Sequence, residues 1–130
     1  IQDPCTAEYL NHIGSKMQRK IYLYGQVPSD KMDLWWEQMQ HCLCTSVSEG
    51  NPNNVIEAMA KGIRPVIHDW PGAQDQFRPW LFRTIGEACS GLESQDYNAH
   101  VYRQWIAERF SLANIERVVD LAEELVGVKT

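Results

Sequence analysis

Along these 130 residues the spacing of apolar positions changes several times between a helical and an extended period. Within 7–17, Tyr9, Leu10, Ile13 and Met17 recur at helical spacing. KIYLY, 20–24, is rich in β-favouring residues and stops at Gly25, which predicts a short buried strand. Ser29 precedes a helical stretch over 30–40, with Asp30 and Asp33 in its first turn. HCLCTSV, 41–47, predicts a second strand, and RPVIH, 64–68, a third. Between them 53–61 is helical in pattern, and Gly62 can take the left-handed conformation that ends a helix.

The segment 73–92 predicts a short helix near 74–77 and a short strand over 84–88. Two amphipathic helices close the chain, over 97–110 and 112–126. The second has one apolar stripe of Ile115, Val118, Val119, Ala122 and Leu125. Strands alternating with helices predict one α/β domain with a mainly parallel sheet. Sheets of this class bind ligands beyond the carboxyl ends of their strands.

Charge narrows the function classes. A formal net charge of -5 and a pI near 5.3 give no broad basic footprint for nucleic acid. No apolar run approaches the roughly 20 residues of a membrane-spanning helix. The opening residues IQDPCTAEYL lack a basic region followed by an apolar core, so they do not read as a signal peptide. Without an initiator Met, the chain is expected to be part of something longer. Cys5, Cys42, Cys44 and Cys89 form no C-x-x-C pair and no zinc spacing, and Cys42 and Cys44 would share one face of a strand. Reduced, mostly buried thiols in a cytoplasmic protein are expected, with a structural disulfide as the alternative.

The candidate chemistry lies in SEGNPNNVIEAMAKGIRPVI, where Glu49 and Glu57 bracket a turn of Gly50, Asn51, Pro52, Asn53 and Asn54. Asn51 is expected to be the N-cap and Pro52 the first helical residue, a place where proline loses no needed hydrogen bond. Gly50 lets a ligand approach its backbone. The helix N-terminus offers free N–H groups and the positive end of a dipole, which suits a phosphate. Carboxylates on either side of a diphosphate site can accept hydroxyl hydrogen bonds from both ends of a nucleotide sugar. On spacing alone the pair is a weak signal, and a solvated Glu49 with an ordinary helix-face Glu57 is the reading to expect, since Glu is common on helix surfaces.

The longer stretch TSVSEGNPNNVIEAMAKGIRPVIHDWPGAQD, 45–75, resembles the signature of group 1 retaining glycosyltransferases, PS-x-x-EG-x-P, EAMA-x-G-x-PV and GG-x-x-E. Ser46, Glu49, Gly50, Pro52, Glu57, Ala58, Met59, Ala60, Gly62, Pro65, Val66 and Gly72 fall in register. IYLYGQVPSDKMDLWWEQMQHC and RQWIAERFSLANIERVVDLAEEL are similar to the family's flanking elements, so the resemblance spans nearly the whole chain.

It implies the GT-B architecture, two Rossmann-like domains facing a cleft, with this chain as the donor-binding C-terminal domain. Glu49 would contact hydroxyls of the transferred sugar and Glu57 the ribose. The backbone at Gly50, Asn51, Asn53 and Asn54 would receive the diphosphate, and Gly25, Gln26 and Val27 would lie near the base. No metal or other cofactor is implied.

Thr45, Asn51, Pro71 and Asp75 depart from the pattern, and Pro71 would restrict the backbone near the donor sugar. The family's phosphate-neutralising Arg and Lys, its acceptor domain and the first two strands of its C-terminal domain would lie upstream of Ile1. No catalytic residue is therefore expected in this chain, which alone should be inactive. An open sheet edge would offer a place for a second copy. The partners implied are a nucleotide-sugar donor, a hydroxyl acceptor and the N-terminal domain. A non-catalytic nucleotide- or glycan-binding module and a structural α/β interaction domain are the rival readings. His41 and His68 are expected to be packed or solvated, Trp70 to line the cleft, and Trp80 and Trp105 to be core.

Overall fold

The computed structural model describes residues 3–17 and 21–127. The chain forms two compact units, Ile1–Trp35 and Trp36–Thr130.

In the first unit, α1 (Pro4–Lys16) starts at Asp3, whose carboxylate accepts from the N–H groups of Cys5 and Thr6, both at 3.1 Å. The Thr6 hydroxyl also donates to Asp3, at 2.6 Å. That bond first, and the two backbone donors after it, hold the Asp3 carboxyl below the usual range. The strand expected over 20–24 is not formed at 21–24, and Lys20 lies outside the described residues. No described strand pairs with this segment, and an extended run without a partner leaves its backbone groups to solvent. Tyr22 and Tyr24 are exposed there, and the Tyr24 ring meets Trp35 edge-on at 6.1 Å. The helix expected over 30–40 is also shorter. A 3-10 turn, Ser29–Lys31, leads into α2 (Met32–Trp36), which ends where Met39 N–H donates to the Trp36 carbonyl at 3.0 Å.

The second unit is built on a three-stranded sheet in the order β1 (His41–Cys44), β2 (Arg64–His68), β3 (Leu81–Phe82). Both pairings are parallel, and His41 to Cys44 face Arg64 to Ile67 residue for residue. Between the strands run α3 (Asn53–Ala60) and α4 (Ala73–Phe77), and beyond them α5 (Ile85–Glu93), α6 (Ala99–Phe110) and α7 (Leu112–Val126). α3 packs on β1, β2 and α6, and α5 packs on β2 and β3. Covered in this way, the central strand buries Pro65, Val66 and Ile67 in succession, the continuous apolar run of a parallel-sheet interior. The core is completed by Val55, Ala58 and Met59 of α3, by Trp70 and Phe77, and by Tyr102 and Ile106 of α6.

β1 ends at Cys44 rather than at Val47, because Thr45 and Ser46 already leave the sheet for the turn that follows. The expected strand over 84–88 is instead the first turn of α5. Thr84 Oγ1 accepts from Glu87 N–H at 3.2 Å, and Glu87 Oε2 accepts from Thr84 N–H at 3.4 Å. This reciprocal cap satisfies two free donors and fixes a helix start. Trp80 and Trp105 are half-buried rather than core, meeting edge-on at 4.9 Å. The apolar stripe of α7 is exposed, Leu125 most of all.

All four cysteines are free; Cys42 and Cys44 are buried on one face of β1, whereas Cys5 and Cys89 are exposed. Burial, and then the neighbouring Cys44, push the Cys42 thiol up to about 11. At pH 8 a thiol-alkylating reagent should therefore label Cys5 and Cys89 quickly in the folded chain, and Cys42 and Cys44 only after denaturation. Peptide mass mapping before and after denaturation checks this, and rapid native labelling of Cys42 would contradict the packing of β1.

Candidate functional site

The Glu49 turn leaves the carboxyl end of β1 and leads into α3. Ser46 Oγ donates to Glu49 Oε1 at 2.7 Å, so the half-buried carboxylate is drawn back over the start of its own turn. The Ser46 carbonyl is bonded in turn to His68 Nδ1 at 2.9 Å, which ties the turn to the carboxyl end of β2. On the far side, Gln76 Nε2 of α4 reaches the Gly50 carbonyl at 3.5 Å. The turn is thus held by three side chains that come from separate parts of the sequence.

The start of α3 differs from expectation by one residue. Pro52 (φ -77°, ψ 82°) occupies the cap, Asn53 is the first helical residue, and Asn51 spends its side chain on Asn53 Oδ1 at 3.1 Å. Proline has no side-chain acceptor, and among the described residues no side chain caps this helix. The Pro52 carbonyl accepts from Val55 N–H at 3.0 Å and Ile56 N–H at 3.1 Å, while the fully buried Pro52 ring anchors the helix start. The N–H groups of Asn53 and Asn54 are left without a capping side chain, at the positive end of the helix dipole. Glu57 is exposed, four residues beyond Asn53 and so on the same side of α3.

A cleft of about 470 Å³ opens beside this helix start, with Asn51, Asn53 and Ile56 on one side and Arg109, Phe110 and Ile115 on the other. Sequence reasoning missed Arg109. Its guanidinium lies 3.5 Å from the centre of the Trp105 ring, and Trp105 Nε1 donates to the Gln76 carbonyl at 2.9 Å. The Arg109 cation thus lies over an indole whose N–H is fixed by the backbone of Gln76, the residue whose side chain reaches Gly50. The Trp-x3-Arg spacing within a predicted helix is the legible signal, since residues four apart share a face. Glu108, 3.6 Å away and exposed, is its nearby carboxylate.

Trp70 was expected to line the cleft, but it is 1% exposed and packs edge-on against Phe77 at 6.3 Å. The left-handed Gly72 (φ +95°) immediately after Pro71 turns the chain into α4 and leaves the indole facing inward. Asp69, one residue earlier, accepts from Arg83 Nε at 2.7 Å and Gln74 Nε2 at 3.1 Å. The Arg83 bond is the main cause holding the Asp69 carboxyl below its usual range, and Gln74 adds to it. Both bonds brace the loop between β2 and β3.

Gly25, Gln26 and Val27 lie in the first unit, with Gly25 left-handed at φ +67°. Among the described residues there is no group of three or more His, Cys, Asp or Glu placed to hold a metal ion. None of the described helices is long and apolar enough to cross a membrane. No family model, curated protein or solved structure matches the chain.

Proposed function

We propose that this chain is the donor-binding part of a retaining glycosyltransferase of the GT-B architecture, a Rossmann-like C-terminal domain that holds a nucleotide diphosphate sugar. The observation that carries the reading is the uncapped start of α3, set directly after a glutamate turn at the carboxyl end of a parallel strand. In this reading the diphosphate lies against the backbone N–H groups of Asn53 and Asn54 and beside Gly50 and Asn51. Arg109 faces it across the cleft and supplies a cation from within this chain. Glu49 has one carboxylate oxygen engaged by Ser46, and its other oxygen accepts from hydroxyls of the transferred sugar. Glu57 accepts from the ribose.

The reaction is transfer of the sugar to a hydroxyl acceptor with retention at the anomeric carbon. As the bond to the diphosphate breaks, negative charge grows on the departing oxygen. The fixed N–H dipoles of α3 and the Arg109 guanidinium stabilise that charge without reorganising. The acceptor belongs to a facing N-terminal domain, the reaction to the cytoplasm, and the donor needs no metal in this scheme.

The test is saturation-transfer NMR of the chain with UDP-, GDP- and ADP-sugars. Saturation should reach the ribose and sugar protons of at least one donor and be displaced by the matching nucleoside diphosphate. No transfer to any of the three would overturn the proposal.

A further inference from the structure

At the carboxyl end of β2, a backbone carbonyl and an aromatic ring converge on His68. Its Nδ1 lies 2.9 Å from the Ser46 carbonyl oxygen, and its ring meets Phe82 edge-on at 5.6 Å. A carbonyl oxygen only accepts, so Nδ1 must carry the proton, and the other nitrogen of a neutral imidazole is then an acceptor. Among the described residues the His68 ring makes its hydrogen bond at Nδ1 and none at Nε2. The half-buried ring is thus oriented on one side and offers a lone pair on the other. Asp69, the next residue, provides no equivalent, because Arg83 and Gln74 already occupy its carboxylate.

Ser46 joins this histidine to the proposed sugar site: its carbonyl fixes His68 and its hydroxyl fixes Glu49. Two acceptors are therefore braced on one residue at the end of adjacent parallel strands. A ligand that donates from neighbouring hydroxyls matches such a pair, whereas the doubly esterified diphosphate of a nucleotide sugar, which carries no proton at neutral pH and only accepts, does not. We propose that His68 is a second sugar-contacting residue, whose Nε2 accepts a hydrogen bond from a hydroxyl of the same donor sugar that Glu49 binds. This rests on the nucleotide-sugar reading above and deepens it, by adding a residue that sets which hydroxyl pattern is accepted.

The first measurement needs no ligand. Long-range proton–nitrogen NMR of the unsubstituted chain at pH 8 should show His68 protonated at Nδ1 and bare at Nε2; the opposite tautomer overturns the inference. The second compares binding of a nucleotide sugar with that of its nucleoside diphosphate. His68→Asn keeps a donor near the Ser46 carbonyl but removes the Nε2 acceptor. It should weaken the nucleotide sugar about tenfold, the size of one lost hydrogen bond, and leave the nucleoside diphosphate unchanged. Should that variant fail to fold, His68→Phe keeps the contact with Phe82 and should give the same split. Unchanged sugar binding, or an equal loss for both ligands, overturns the role of His68. If the unsubstituted chain binds neither ligand, the nucleotide-sugar reading itself fails and this inference falls with it.

Discussion

Gly62→Ala should cost about 2–5 kcal/mol of folding stability, a large share of what a domain of this size has. Two separate penalties combine at this position. Gly62 has φ +82°, where a side chain on an L-residue crowds the following carbonyl at a cost of about 1–2 kcal/mol. A Cβ built there would also lie 2.8 Å from the Ala99 Cβ, closer than side-chain carbons approach one another. The Arg103 guanidinium, equally near, can swing aside, but Ala99 sits in the first turn of α6 and cannot move without the helix. Overpacking of this kind costs a further 1–3 kcal/mol or so. The site is already fixed by other bonds: the Gly62 carbonyl accepts from Tyr97 Oη, and the Lys61 carbonyl accepts from Arg103 at 3.0 Å.

Gly72→Ala is the matched control. Its φ is +95°, yet nothing lies within 4 Å of the added Cβ, so only the conformational cost of about 1–2 kcal/mol should appear. Urea unfolding followed by circular dichroism compares the two variants directly. Equal losses would mean that α6 does not press on the end of α3 as described. The comparison bears on function because Gly62 stops α3 and turns the chain into β2. The position of that stop sets where the opposite end, with its free N–H groups, meets the Glu49 turn.

Much of this frame could be read from the sequence, and the physical reasons for success and failure differ by element. HCLC and RPVIH are short β-rich runs bounded by polar turns, and both form parallel strands. The helix between them has its apolar positions at Val55, Ala58 and Met59, all of which are buried. Ile21 to Tyr24 has the same local character as those strands but no described partner strand, and β-structure is decided by pairing rather than by residue type. Thr84 and Glu87 form a capping box whose spacing is visible in the sequence, and that cap outweighed the β-favouring residues around it. Asn51 is the better capping residue by chemistry. Burial of the Pro52 ring nevertheless decides where α3 begins, and a one-residue shift of this kind is not encoded in local preference. Arg109 stands four residues beyond Trp105 on one helix, a spacing visible in the sequence, whereas His68 is placed by a contact across the fold with the Ser46 carbonyl, which no local pattern reveals.

Glu57→Ala should weaken free nucleoside diphosphate and nucleotide sugar alike, whereas Glu49→Ala should weaken only the nucleotide sugar. The two carboxylates stand on opposite sides of the proposed diphosphate position: Glu49 in the turn before α3, Glu57 one turn beyond the free N–H groups. A ligand that spans that position with its diphosphate places its ribose at one carboxylate and its sugar at the other. Free nucleoside diphosphate retains the ribose and lacks the sugar, so only the Glu57 contact survives in it. Losing a hydrogen bond to a charged group costs about 1.5–3 kcal/mol, or roughly tenfold to a hundredfold in affinity. Glu57 is exposed, so its effect should fall towards the lower end of that range. Glu49 also accepts from Ser46, and its removal could relax the turn rather than delete a ligand contact. Glu49→Gln separates these effects, since the amide oxygen can still accept from Ser46 while the charge is gone. It should keep free-nucleotide affinity intact and still lose affinity for the nucleotide sugar. Titration calorimetry of the three variants with both ligands gives the answer. Equal loss of free-nucleotide binding in Glu49→Ala and Glu57→Ala would mean that the carboxylates do not divide the ligand between them, and the assignment of sugar and ribose would have to be abandoned.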